Sequence, residues 1–183
     1  MGDAKNLQLG VGDLDLKTYV AGTYGSGFSS PGFHSEKGAT ATYKQDEKNH
    51  KTGNSLSIVK IFITGEQLDL EAAIEEFTAL NVARALGLAD SDITDDVVGH
   101  IKSFYIGGNL AANYFTARFT HKFDIPGLWA RITIFKGRFA GGAKLEMKPT
   151  DVTETPTKMS AMEDDAVGVT KGKLGLLEFK YQA

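Results

Sequence analysis

The chain has 183 residues, 20 Lys+Arg against 23 Asp+Glu, a formal charge of −3 and no cysteine. The missing cysteines exclude disulfide frameworks, thiolate metal sites and thiol nucleophiles, and the near-balanced charge argues against a binder that works by neutralising phosphates. The length fits a single domain over 1–183, enough to bury about 70% of its unfolded surface without a covalent staple.

No apolar run reaches membrane-span length; the stretch 58–63 carries Lys60 inside it. The opening residues Met1, Gly2, Asp3, Ala4, Lys5 and Asn6 have no apolar core behind them, so no signal peptide is expected. Asn6 stands where a myristoylation motif needs Ser or Thr.

In chain order, Leu7, Leu9 and Val11 alternate and then shift phase to Leu14 and Leu16. A one-residue phase change at glycine predicts a kinked strand or two short ones. The segment 22–38 holds five glycines and Pro31, with Tyr24, Phe28 and Phe33 as its large apolar groups, and reads as a long loop. A short strand is expected over 39–43. The segment 44–55 has no apolar residue and reads as a polar connection, either functional or a solvated hairpin tip.

Over 56–64, Val59, Ile61 and Ile63 face one way and Leu56, Ile58 and Phe62 the other, interrupted by Lys60. Two apolar faces predict a central strand covered on both sides. Over 69–88, Leu70, Ala73, Ile74, Phe77 and Leu80 fall on one helical stripe, Asp69 offers a cap and Gly87 a stop. One helix is expected there, followed by a solvated acidic loop at 90–96.

Beyond residue 100 the period is two. Phe115, Ala117, Phe119, His121 and Phe123 alternate with polar residues, Pro126 and Gly127 make a turn, and Leu128, Ala130, Ile132 and Ile134 return. Gly141 and Gly142 lead to a further alternation through Met147. The segment 152–162 is a weaker strand, and Pro156 marks it as an edge. Leu177, Phe179 and Tyr181 close the chain. Seven to nine strands, mostly hairpin-connected, with one helix point to a mainly β fold: an antiparallel β-sandwich or partial barrel with one flanking α-helix.

Reactive patterns are missing. His34, His50, His100 and His121 are not at metal-ligand spacing. The pair Gly10 and Gly12 lacks the third glycine of a dinucleotide loop, since position 15 is Asp15. Asp90, Asp92, Asp95 and Asp96 do not follow the calcium-loop order. No catalysis, cofactor or metal is expected. The aromatic pair Phe28 and Phe33 on a flexible loop reads as a surface that waits for a partner.

The order of features carries a resemblance. The opening 5–16, Lys-Asn-Leu-Gln-Leu-Gly-Val-Gly-Asp-Leu-Asp-Leu, and the run from Thr64 to Ala85-Leu86-Gly87 resemble bacteriophage major tail tube proteins, as do Trp129-Ala-Arg-Ile-Thr-Ile-Phe-Lys136, Lys144-Leu-Glu-Met147 and the closing Gly172-Lys-Leu-Gly-Leu-Leu-Glu-Phe179. The resemblance covers most of the chain and is weakest at 22–38, 44–55 and 90–96. It implies a structural subunit that closes into hexameric rings by joining sheets edge to edge. The rings stack into a tube whose lumen passes DNA without specific binding. It further implies a virion location, assembly in the host cytoplasm, and sheath, terminator, tape-measure and baseplate proteins as partners.

Carried over residue by residue, the polar arm with Lys44, Asp46, Glu47, Lys48, His50 and Lys51, helped by Phe28 and Phe33, would reach a neighbouring subunit. Leu56, Ile58, Lys60 and Phe62 would line or back the lumen, and the helix would pack outside the sheet. Sheet edges joined in a closed ring turn an aggregation liability into an interface. The alternative from a different class is a monomeric, lipocalin-like β-barrel that binds a small apolar ligand on the Phe115, Phe119 and Phe123 face.

Overall fold

A computed structural model describes residues 12–32, 34–51, 57–58, 60–107, 112–139 and 155–181, with 34–37 described by backbone alone. The fold is mainly β, mostly antiparallel, with one α-helix. The strands are β1 (Gly12–Thr18), β2 (His34–His50), β3 (Lys60–Ile74), β4 (Thr94–Asp96), β5 (Ile101–Ser103), β6 (Phe115–Lys122), β7 (Trp129–Phe139), β8 (Thr155–Met162) and β9 (Gly175–Lys180); the helix α1 is Ala79–Ala85.

One sheet runs β1-β6-β7-β8-β3-β2, and β9 adds to β7 beside β8. The lower half of β7 pairs with β9, from Trp129 opposite Lys180 to Ile134 opposite Gly175, and its upper half pairs with β8, from Lys136 opposite Met162 to Phe139 opposite Met159. The sheet curls enough for both ends to share one core. Leu14 and Leu16 of β1 pack in one cluster with Leu68, Leu70 and Ile74 of β3, around Phe115, Ile134 and Met159. Gly12 sits directly over the Phe119 ring, where an added Cβ would stand 2.1 Å from a ring carbon, so any larger residue would have to displace that ring.

The hairpin of β6 and β7 turns around Gly127, whose φ is +83°, where the sequence places a turn and an antiparallel partner, with a register shift between Phe115 and Ala117. Three expectations change. First, 69–74 is not helical: β3 continues to Ile74, with Leu68, Leu70 and Ile74 turned into the core at period two. Partners on both sides, β2 and β8, satisfy its backbone, and long-range pairing overrides a weak helical preference. The helix shrinks to α1. Its N-cap is Thr78, whose hydroxyl accepts from the Asn81 amide at 3.2 Å, rather than Asp69. Gly87, at φ +77°, ends it as expected, and α1 lies against β8.

Second, 34–38 and most of 44–55 are strand rather than loop, both inside the 17-residue β2. Third, β8 is interior rather than an edge. Pro156 pairs opposite Ala73 of β3 and lies beyond the last described β7 pairing at Met159, so its missing N–H costs no described ladder bond on that flank. The expected strand through Ala143 and Met147, and the first phase of the opening strand, lie outside the described residues.

Candidate assembly surface

The hairpin of β2 and β3 is longer than the sheet that carries it. Pairing between the two runs from Ala39 opposite Ala72 out to His50 opposite Lys60. On its other flank β3 pairs with β8 only from Asp69 to Ile74. Among the described residues, the segment Lys60 to Gln67 therefore has no second strand partner, and β2 has none on its outer edge. Among those residues the result is a two-stranded arm with both edges unpaired, a ready template for strand addition.

Local chemistry keeps the arm regular. The register slips by one residue where Asp46 faces Gly65 and Glu47 faces Ile63, leaving Thr64 as a bulge whose hydroxyl donates to the Asp46 carbonyl at 3.1 Å. A bulge bends and twists a strand locally. Glu66 accepts from the Tyr43 hydroxyl at 2.5 Å and from the Gln45 amide at 3.1 Å. The Tyr43 bond holds the Glu66 carboxyl below its ordinary range, and the same bond pushes the Tyr43 phenol up.

The named candidate residues divide. Lys44, Asp46, Glu47, Lys48, His50 and Lys51 are exposed on the arm. Ile58 and Phe62 are exposed as well, at 48% and 44%, and Ile61 and Ile63 stand at 52% and 57%. The expectation of a central, doubly covered strand is therefore corrected: the apolar groups of this segment face solvent because neither β8 nor β9 extends beside them. Lys60 lies 4.7 Å from the Phe62 ring centroid and His50 meets that ring edge-on. Leu56 and Phe33 lie outside the described residues.

The Phe28 ring is half-buried and packed on this chain's own cations, with the Arg118 guanidinium 4.1 Å and the Lys17 ammonium 4.9 Å from its centroid. Arg118 in turn holds Asp15 at 2.7 Å. The loop around it is further tied down by the Leu16–Ser29 bridge, and Lys17 donates to the Ser26 carbonyl at 2.9 Å. Burial and the nearby Arg118 lower the Lys17 pKa. Phe28 thus has packing partners within its own chain.

The β8–β9 connection is held by a carboxylate. Oδ1 of buried Asp164 accepts from the Tyr19 hydroxyl at 2.8 Å, from the Tyr24 hydroxyl and from the Ala166 amide at 3.3 Å. Burial alone would push this carboxyl up; the Thr170, Tyr24 and Tyr19 hydroxyls and the Ala166 amide outweigh it and hold the pKa below the ordinary value. Burial, with the bond to Asp164, pushes the Tyr19 phenol up. Lys136 completes the corner, bonded to Asp165 and 4.6 Å from the Tyr114 ring. A cleft of about 610 Å³ opens between this corner and the root of the arm, lined by Ile63, Glu66, Lys136, Met162, Asp165 and Leu174.

Two surfaces were not singled out in the sequence. One is β9, with Leu176, Leu177 and Phe179 exposed on a strand that pairs with β7 alone among the described residues. The other is the small hairpin of β4 and β5, which among the described residues pairs with no strand of the main sheet and exposes Val97 and Val98 at 74% and 93%. The acidic composition of 90–96 hid that hairpin; the signal for it was the apolar pair between Asp96 and Gly99.

Among the described residues, no group of His, Asp and Glu is arranged to hold a metal ion, and no helix is long and apolar enough to cross a membrane. No protein-family model and no curated protein sequence matches the chain.

Proposed function

We propose that this chain is a structural subunit of a bacteriophage-type tail tube, in which identical copies join into six-membered rings and the rings stack around a lumen that passes DNA. The observation that carries this reading is the arm. Over Lys60 to Gln67 and the facing part of β2, a bulged hairpin stands without a flanking strand among the described residues and exposes Ile61, Phe62 and Ile63. In water such a ribbon gains little by itself, and copies that cover one another's arms bury both the apolar groups and the open edges.

Within the reading, the arm is the contact between subunits, and sheath, terminator, tape-measure and baseplate proteins meet the tube from outside, inside and at its ends. The virion tail is the place of work. The test is negative-stain microscopy of the purified protein at rising concentration. Rings or tubes of uniform width support the proposal, and a protein that stays monomeric with and without salt overturns it.

One observation favours the second reading, a small-ligand-binding β-barrel. An apolar cavity of about 280 Å³ lies between Leu68, Phe119, Ala130, Ile132 and Leu177. Against it stands the sheet path, which among the described residues ends at β1 and β2 without closing. Saturable binding of a fatty acid or a hydrophobic dye by a strictly monomeric protein would favour the barrel.

A further inference from the structure

Two hairpins of this chain are built as complements. The β2–β3 arm carries a small positive excess among apolar groups. Over 44–67 it holds Lys44, Lys48, Lys51 and Lys60 against Asp46, Glu47 and Glu66, four positive minus three negative charges, a balance of +1. Ile61, Phe62 and Ile63 are exposed among these charges. The β4–β5 hairpin is acidic and apolar. Over 92–103 it carries Asp92, Asp95 and Asp96 against Lys102, three negative minus one positive, a balance of −2, with Val97, Val98 and Ile101 exposed.

The acidic hairpin is also shaped for presentation. Its strands have three residues each, too few to be stable in isolation. Its tip is nevertheless fixed: Oδ1 of Asp96 accepts from the Val98 amide at 3.1 Å and from the Gly99 amide at 3.0 Å, and His100 holds a left-handed φ of +54°. A rigid tip that offers two valines loses little conformational freedom on docking. Opposite charge around an apolar centre is the arrangement that selects one partner and register over others, and strands with open flanks on both hairpins permit main-chain pairing as well.

We infer that the occupant of the β4–β5 hairpin is a second copy's β2–β3 arm, with Val97 and Val98 set against the Ile61 and Ile63 side of that arm. This inference rests on the tube-subunit reading and specifies which surfaces meet. The contact is heterologous, since each copy offers an arm to one neighbour and a hairpin to another; such contacts close into a ring or propagate along a stack.

The test uses complementation. An arm variant, Ile61→Asp with Ile63→Asp, and a hairpin variant, Val97→Asp with Val98→Asp, change only exposed side chains. Each keeps one half of the contact intact. Alone, each is expected to be monomeric by size-exclusion chromatography with light scattering. Mixed, they are expected to form a 1:1 dimer that cannot grow. A second measurement depends on no disruptive change: because the chain lacks cysteine, Ile63→Cys protein mixed with Val98→Cys protein should be joined by a short bismaleimide into a mixed dimer that neither forms alone. If the wild-type protein assembles while the variants stay separate on mixing and no mixed cross-link forms, the arm–hairpin contact is wrong and the tube reading survives. If the wild-type protein never associates, both fall.

Discussion

Tyr19 donates its hydroxyl hydrogen bond to Asp164 at 2.8 Å, joining the loop after β1 to the connection before β9 across 145 positions of chain. Tyr24 donates to the same oxygen, so one buried carboxylate fixes two loops at the end of the sheet from which the arm leaves. Replacing Asp164 by Asn keeps the shape but removes the anion that two phenols bind. A loss of about 1.5–3 kcal/mol is expected, the range for hydrogen bonds to a charged group, read as a lower urea midpoint with unchanged slope. An unchanged midpoint would show that the corner is held by other contacts.

The same carboxylate gives a pH dependence. Its folded pKa lies below the ordinary value, so around pH 4 the unfolded chain binds more protons than the folded one. The stabilisation is complete above the unfolded carboxylate pKa of about 3.9 and drains away as pH falls through the lower folded value. Buried Asp69 acts in the same direction: burial alone would raise its pKa, but Lys158 at 3.0 Å, the Ser160 hydroxyl and Gln67 hold it down. Wild-type stability should therefore fall as pH drops below about 4, and the Asp164→Asn protein should lose less over the same window.

Phe28 tests the division between packing and assembly. With Arg118 and Lys17 both on its ring, Phe28→Ala should cost about 1–2 kcal/mol, the sum of two modest cation–π contacts. Thermal denaturation should register that loss while association at room temperature stays as in the wild type. A variant as stable as the parent but unable to associate would place Phe28 at the interface.

Thr78 tests where the helix begins. Its hydroxyl caps the Asn81 amide, and Thr78→Ala should destabilise the fold by about 1 kcal/mol. A helix that began at Asp69 would be indifferent to this change.

Much of the sheet was legible because burial writes a period. Ala117, Phe119 and His121 of β6 pair in register with Ile134, Ile132 and Ala130 of β7, with an irregularity only between Phe115 and Ala117, and the apolar alternation follows a face that has a core to cover. The arm lacks such a face. Lys44 to His50 carry no apolar residue, although they form regular strand, because a ribbon exposed on both sides leaves no alternation to read. Leu70 and Ile74 misled for the opposite reason: residues four apart lie together on a helix and also on one face of a strand, and only the partners β2 and β8, distant in sequence, decide between the two. The valine tip of the small hairpin was invisible among its aspartates, and β8 looked like an edge because proline reports a missing donor without saying on which flank.

The arm itself is the sharpest test. Gln45 pairs directly with Glu66, so residues 46–65 can be replaced by Asn-Gly, the pair that closes a two-residue hairpin, without disturbing the core strands. Both proteins would be followed by sedimentation velocity and negative-stain microscopy across a concentration series. The account predicts that the full-length chain forms rings or tubes, and that the shortened chain keeps its circular dichroism and cooperative unfolding but sediments as a monomer. A shortened chain that assembles as readily as the parent, or a parent that remains monomeric throughout, would contradict it.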